Sequence, residues 1–499
     1  MMWRTFLLGV VWAGLGLTQE VGILTPKPMP KPKINGAKVY GARPGHPFLF
    51  RIPATGARPM TFSAKGLPKG LKLDAGSGII TGVTPAKGEY NLVLRAKNRL
   101  GAAERGWKIV AGKTLALTPP MGYSTWYHCY MQVTDQIVRA STDAMISTGL
   151  ADHGYAFVNI DDGWNRRPAR KDPEHGPPVR AAAGNLLPNA TFPDMKALTD
   201  YVHSKGLKAG IYIGPGRLTC GGCEASFGHE EQDARLFAKW GFDFLKYDWC
   251  SYGKLAKDKS LPELKKPYEL MGGILQKLDR DFVFNLCQYG MGDVWKWGRE
   301  VGGNFWRSTG DVGVPKDGTF WRSVEAVGFS QAGKEKYAGP GGWNDPDNIN
   351  IGSIKWNKTV MPVPLTQNEQ YSYVSLWSLL AAPLFLGGDP TRLDEFTLGL
   401  LGNDEVIEIN QDVLGKQAVR VSQEGGREVW VKDLEGGAKA VGLFNRGESA
   451  ATVSVPWTLV GLQGEHVVRD LWRQKDLGKL GTKFETTVAP HGVALVKIR

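Results

Sequence analysis

From about Leu115 to Gln411 the chain repeats one pattern: a short apolar run closes on a polar turn and is followed by a stretch with helical spacing. A strand and a helix in alternation build a parallel sheet, because each helix returns the chain to the end where the next parallel strand starts. The clearest runs are "YAFVNID", "LKAGIYIG", "FDFLKYD", "DFVFNLCQ", "NFWRSTGD" and "APLFLGGD", joined by weaker ones at "MGYSTW" and "KYAGPGGWND". Between them, "FPDMKALTDYVHSKG" and "EEQDARLFAKWG" carry apolar residues at helical spacing and end on Gly. Eight such units match the length of a (β/α)8 TIM barrel, about 250 residues. The predicted barrel spans residues 113–411.

The flanks read differently. Residues 34–112 hold short alternating runs, such as "PFLFRIPA", "GIITGV" and "YNLVLRAKN", cut by Gly and Pro turns, the pattern of a small β-sandwich. Residues 412–499 return to strand-like runs, "EVWVKDL", "KAVGLFN", "ATVSVPW" and "VALVKIR", and predict a C-terminal antiparallel β-domain. The expected architecture is therefore multidomain, a central barrel between two β-domains.

At the N-terminus one Arg precedes the apolar run "TFLLGVVWAGLGLT", too short to span a bilayer and followed by polar Gln19-Glu20. Residues 1–18 read as a signal peptide, which predicts a secreted or periplasmic protein with no membrane span after cleavage. Residues 19–33, with "PKPMPKPK", read as a stiff Pro/Lys-rich linker. The formal charge is +12, but Lys and Arg are dispersed rather than gathered into a stripe, so no nucleic-acid partner is expected. Five Cys are too few for a disulfide scaffold, although an exported chain can form one or two bridges.

In a TIM barrel, functional groups project from the carboxyl ends of the strands. Those ends are acidic here: Asp161 and Asp162, Asp248, Asp311, Asp345 and Asp347, and Asp389. A single Asp after a strand is more often a helix cap or turn former than a catalyst. Several at one mouth repel each other unless a cation, hydrogen bonds or a substrate offset the charge. Metal-dependent hydrolysis would recruit His, yet the eight His include no His-x-His and none ends a candidate strand. Phosphoryl transfer would use a Gly-rich phosphate loop, and "GIYIGPG" reads better as a strand and turn. Glycoside hydrolysis needs two carboxyls amid hydrogen-bonding and aromatic groups, which suits the acidic ends and 17 Trp. Lys246 and Asp248 stand two apart and face one side of their strand, where the ammonium would keep the carboxylate ionised. Arg307 and Asp311 are four apart and share a face if Gly310 does not break the run. Each pair reads equally as an ordinary structural salt bridge.

The ordered motifs "PPMGYSTW", "VNIDDGW", "VHSKGLKAGIYIGPG", "LTCGG", "FDFLKYDWC", "WRSTGD", "GPGGWNDPD", "LWSLLAAPLFLGGD" and "EVIEINQD" resemble glycoside hydrolase family 27, the α-galactosidase and α-N-acetylgalactosaminidase group, over about 300 residues. The sandwich segment resembles immunoglobulin-like modules attached to exported bacterial enzymes, where a spacer role is the plainest reading. The family resemblance implies a retaining double displacement without metal or organic cofactor. It makes Asp248 the nucleophile and Asp311 the acid/base. It gives Asp161 and Asp162 the sugar hydroxyls that separate galactose from glucose, and Trp126 and Tyr212 the pocket wall. Lys246, Arg307 and Asp347 would hold hydroxyls or orient the acids. A Cys220–Cys250 disulfide is implied, with a Cys220–Cys223 bridge as the alternative.

Three positions depart from the family pattern. Gln288 in "NLCQYG" stands where α-galactosidases carry Glu, Tyr123 where Trp is usual, and Asn348 where an apolar residue is common. The implied activity is an α-galactosidase acting on terminal α-galactosides of oligo- or polysaccharides. The rivals are a β-L-arabinopyranosidase or α-N-acetylgalactosaminidase of the same family, and a non-catalytic carbohydrate-binding protein. Oligomeric state is left open. Asn189-Ala-Thr191 and Asn357-Lys-Thr359 fit the N-glycosylation pattern.

Overall fold

The computed structural model describes residues 22–313, 320–356 and 359–499. The proposed signal segment and Asn357 lie outside them. Eight parallel strands form the barrel: β1 Met121–Ser124, β2 Phe157–Ile160, β3 Lys208–Ile213, β4 Phe244–Asp248, β5 Val283–Cys287, β6 Phe305–Arg307, β7 Trp343–Asp345 and β8 Leu384–Leu386. Each pairs with the next from β1 to β7, and β8 pairs with β1. The seam between β7 and β8 closes through a residue beyond β7: Ile349 N donates to Phe385 O at 2.8 Å, and Gly387 N to Ile349 O at 2.9 Å. All eight runs read from the sequence are strands of this barrel.

Period-two alternation sorts each strand into an inner and an outer set. On β4, Leu245 and Tyr247 join the cluster shared with the surrounding helices, while Phe244, Lys246 and Asp248 share the opposite, inner face. Phe157, Phe244, Phe305 and Phe385, with Val283 and Trp343, form a separate aromatic layer at the amino end of the interior. The Phe244 ring lies 5.6 Å from Phe305, nearly parallel, and 5.6 Å from Phe385. This layer explains Gly210 on β3, where a Cβ would come within 2.3 Å of Phe244.

The immunoglobulin-like module pairs Val39–Ala42, Gly101–Ala111, Gly88–Asn98 and Thr61–Lys65 in one sheet and Pro47–Arg51, Ile79–Val83 and Leu71–Leu73 in another. Phe48, Phe62, Ile80, Leu94 and Trp107 fill the space between. The module is seated on the amino end of the barrel rather than held away from it. Arg43 donates to both carboxylate oxygens of Asp281, through its backbone N at 3.0 Å and its Nε at 2.7 Å. Its Nη atoms reach Gln276 O at 2.9 Å and Leu278 O at 3.3 Å, carbonyls left open after helix Leu261–Leu275. Arg58 pairs with Asp152 at 2.7 Å, and Lys38 with Glu435 of the C-terminal domain at 2.7 Å. The described end of the linker is docked too: Leu24 N donates to Tyr371 Oη at 2.9 Å, and Thr25 Oγ1 to Gly399 O at 2.7 Å.

The C-terminal domain is an antiparallel six-stranded sheet backed by the pair Ala451–Pro456 and Lys483–Val488. Val441, Leu443, Val455 and Phe484 lie between these layers, whereas Trp430, Ala440 and Phe444 belong to the barrel's core. Helix Gln367–Leu379 is caught between the two cores and is buried on every side from Tyr371 to Leu379. A helix apolar or buried all round cannot face water. Thr366 and Glu369 fix its start with a reciprocal capping box.

Candidate active site

Asp248 ends β4 at the mouth and is buried. Burial pushes its carboxyl upward, and the Lys246 ammonium and a hydrogen bond from Tyr289 hold it back toward ionisation. Tyr289 Oη donates to Asp248 Oδ1 at 2.6 Å. Lys246 Nζ sits 2.9 Å from Asp161 Oδ2 and 5.0 Å from the ring centre of Tyr212. The same-face pair read from "FLKYD" is therefore shared, since the direct ion pair of Lys246 is with Asp161.

Asp161 also accepts from Ser124 Oγ at 3.1 Å, and its backbone N donates to Thr125 Oγ1 at 2.9 Å. Asp162 is held entirely by its surroundings. Thr219 Oγ1 and Gly163 N donate to Oδ1 at 2.8 Å each, and Gly221 N to Oδ2 at 2.6 Å. Burial nevertheless outweighs these donors and pushes its carboxyl up to about 6.

β6 stops at Arg307 and the chain bends over Thr309 and Gly310, so the shared-strand expectation for Arg307 and Asp311 fails. The ion pair forms by another route. The chain turns back so that Arg307 Nη2 donates to Gly310 O at 2.8 Å, which brings Asp311 Oδ1 within 3.1 Å of Nη1. Arg307 is buried and also lies 3.2 Å from Asp347 Oδ2, so one guanidinium holds two acids. They differ in exposure: the side chain of Asp311 is 56% exposed and that of Asp347 6%. Asp347 is kept by Val312 N at 2.9 Å, and its left-handed φ of 104° places a non-glycine residue in a strained region. Asp345, at the end of β7, is pushed up to about 6 by burial against the pull of Arg307.

Asp389 does not join this group. It caps the turn at Pro390–Arg392 through Thr391 and pairs with His128 at 3.3 Å, contacts that hold its carboxyl down to about 2 against burial.

Cys220 and Cys250 are bonded to each other, as the resemblance implied, leaving Cys223 a buried free thiol along with Cys129 and Cys287. The disulfide sulfurs and the Asp248 carboxylate lie close together, but both sulfurs are spent on the bridge rather than available as thiolates. Tyr212 is buried, with its Oη 3.1 Å from Cys250 Sγ. Trp126 opens the short helix after β1, half-buried against Tyr130, with ring centres 4.3 Å apart. Gln288 follows β5 and is fully buried, yet neither its Oε1 nor its Nε2 has a partner among the described residues. Tyr289 and Tyr127, whose Oη donates to Asp347 at 3.4 Å, were not singled out from sequence. Tyr289 lies in a loop and Tyr127 in the four-residue helix Trp126–Cys129, both too short for periodicity to mark direction. Asn189 of the first glycosylation pattern is buried, donating to Gly163 O at 2.7 Å and accepting from Thr191. Its amide is not presented to solvent.

A (β/α)8 barrel whose mouth gathers several buried carboxylates and a solvent-facing one has the construction of a glycoside hydrolase. Residues 118–412 match the family described as alpha galactosidase A, or melibiase, residues 424–498 its C-terminal beta sandwich domain, and residues 32–109 an Ig domain. The chain belongs to glycoside hydrolase family 27, the melibiase family. It is 38% identical to an alpha-galactosidase of Cyamopsis tetragonoloba over 81% of this chain and 92% of that one. A crystal structure of a candidate alpha-galactosidase from Bacteroides fragilis superposes with a TM-score of 0.85 at 36% identity, covering 94% of this chain and 98% of that one. A β-L-arabinopyranosidase from Geobacillus stearothermophilus superposes with a TM-score of 0.68 at 26% identity, covering 77% and 96%.

Proposed function

We propose that the chain is a retaining α-galactosidase that releases terminal α-D-galactosyl groups from oligo- or polysaccharides. The observation that carries this reading is the contrast in setting between two acids. Asp248 is buried beside an ammonium and a phenol donor, whereas Asp311 is solvent-facing and tethered by Arg307. A nucleophile has to be ionised and dry, and an acid/base has to exchange protons with a leaving group and then with water.

In the first step an oxygen of Asp248 bonds to the anomeric carbon while the glycosidic C–O bond breaks. Its electron pair goes to the leaving oxygen, which takes the proton of Asp311. In the second step water attacks the same carbon, Asp311 takes the water's proton, and the ester electron pair returns to Asp248. Asp161, Asp162 and Lys246 face the glycone as hydroxyl partners, and Trp126 and Tyr212 as its walls. The amide of Gln288, buried and without a partner among the described residues, offers one acceptor and two donors where family α-galactosidases carry a carboxylate. That amide also supports a second reading, a β-L-arabinopyranosidase, because the glycone pocket differs there from the α-galactosidase pattern.

Export is part of the proposal. It rests on the N-terminal apolar run together with the Cys220–Cys250 bridge, since disulfides persist in oxidising compartments. No helix among the described residues is long and apolar enough to cross a membrane.

Hydrolysis of matched p-nitrophenyl α-galactoside, α-N-acetylgalactosaminide and β-L-arabinopyranoside, with the anomer followed by proton NMR, tests the assignment. Preference for the α-galactoside with retention is expected. Inversion overturns the double displacement, and preference for the arabinopyranoside moves the specificity to the second reading.

A further inference from the structure

We propose that Tyr289 is a positioning residue for the Asp248 nucleophile, its phenol O–H fixing Oδ1 and leaving Oδ2 to bond the anomeric carbon. The proposal rests on the retaining reading above. Three features of the structure carry it.

The first is the hydrogen bond itself, 2.6 Å from Tyr289 Oη to Asp248 Oδ1, the length of a charge-assisted bond from a hydroxyl to an ionised carboxylate. The second is the backbone. Tyr289 has φ 61°, a left-handed conformation uncommon for a bulky side chain, immediately after β5. The neighbouring bond from Gly290 N to Arg307 O, 2.9 Å, ties this turn to β6, so the strained residue is held from both adjoining strands. Strain of this kind persists where surrounding contacts determine the conformation, and here its result is to aim one phenol at one oxygen. The third is the ring's setting: Tyr289 Oη is 3.9 Å from Cys220 Sγ, and the Arg307 guanidinium carbon is 5.9 Å from the ring centre. The phenols of Tyr212 and Tyr268 are directed elsewhere, to Cys250 Sγ and to Cys287 O.

The phenol keeps its proton throughout. Burial and the negative groups around it push its ionisation far above the ordinary tyrosine range, so it acts as a donor and not as an acid. Its effect is on charge. While Asp248 is a sugar ester, Oδ1 is a neutral carbonyl oxygen and the bond is weak. As the ester C–O bond breaks and the electron pair returns to the carboxylate, Oδ1 gains charge and the bond strengthens. A donor that binds the departing carboxylate more strongly than the ester lowers the barrier of the second step. The groups facing Asp248 are Lys246 on its own strand, Asp161 beyond β2, Tyr212 on β3, Cys287 and Tyr289 at the end of β5, Asp311 beyond β6, and Tyr268 on the helix behind. Removing the phenol donor subtracts one contact that favours the charged form, and the acidic limb of kcat/KM moves to higher pH.

The test is Tyr289→Phe in the full-length enzyme, assayed with p-nitrophenyl α-galactoside across pH and with a slow-turnover 2-deoxy-2-fluoro galactosyl donor. The expected result is a 10- to 100-fold lower kcat, a smaller change in kcat/KM, an acidic limb displaced upward, and slower release of the fluoroglycosyl ester that mass spectrometry locates on Asp248. An unmoved acidic limb with wild-type release of the ester overturns the proposal while leaving the glycosidase assignment intact. Absence of turnover by the wild type on any of the three glycosides overturns both. If Tyr289→Phe does not fold, 3-fluorotyrosine at position 289 keeps the shape and makes the phenol a stronger donor. The limb then has to move to lower pH, and an unshifted limb counts against the proposal.

Discussion

The interior of the barrel changes character along its axis, and β4 displays the change in five residues. Phe244 at the amino end stacks among aromatic rings, Lys246 in the middle pairs with Asp161, and Asp248 at the mouth is an acid raised by burial. All three share the inner face, so one strand runs from hydrocarbon to charge in about 13 Å, at about 3.3 Å per residue. The base is stable because its surfaces fit, and the mouth is costly because its charges are crowded. The two ends therefore differ in what a substitution takes away: packing energy at the base, chemistry at the mouth.

The largest expected effect is at the mouth. Asp248→Ala should lower kcat by about 10⁴-fold or more while leaving the melting temperature unchanged or higher, since a buried carboxylate is removed. Steady-state rates and calorimetry on the same preparation check both halves, and near-wild-type turnover would break the contrast. At the base, Phe244→Ala should cost about 3–5 kcal/mol of stability through the cavity it leaves. The kcat of the molecules still folded should change by less than about threefold, a small shift because no contact with the reacting atoms is lost. Urea unfolding followed by active-site titration separates these quantities.

The pH dependence of stability sharpens the same division. Asp345 titrates at about 6 in the folded chain and near 3.9 when unfolded, so the native state binds the extra proton between those values. Stability contributed by this proton is complete below about pH 4 and is lost as pH rises through about 6. Asp345→Asn should remove on the order of 2–3 kcal/mol of that decline, read as a flatter unfolding free energy between pH 4 and 6. A slope identical to wild type would show that the acid is not strained by burial. The smallest effect is expected outside the base, where Arg43→Ala should cost about 1–3 kcal/mol by removing the guanidinium from Asp281 Oδ1 and the helix-end carbonyls, while the backbone N of residue 43 and His46 still hold Asp281, with kcat/KM unaltered. Differential scanning calorimetry with parallel kinetics measures it.

The mouth was readable from sequence and the base was not, for a physical reason. Asp161, Asp248 and Asp345 stand where an apolar run ends, and an acid there is conspicuous against its neighbours. Phe157, Phe244 and Phe305 begin such runs, where an aromatic residue has no contrast and only the closed barrel shows that the rings meet. Arg307 and Asp311 were paired by spacing, but the contact depends on a turn at Gly310 rather than on strand alternation. Tyr289 escaped notice because its direction is set by one left-handed φ. The seat of the immunoglobulin-like module depends on Arg43, one of 61 basic residues, finding the open end of a helix more than 200 positions away.

Helix Gln367–Leu379 has a consequence for how the protein is made. Its last turn is synthesised about 120 residues before Ile498, the end of the strand that completes the sheet covering it. At ribosomal rates of about 5–20 residues per second, that face of the helix waits on the order of 10 s for its cover. During that interval the nascent chain carries an apolar surface that belongs to neither solvent nor core, and this is the window in which a chaperone or an aggregate competes for it. Slow codons placed between the helix and the final strand lengthen the window, and the yield of soluble enzyme should fall accordingly.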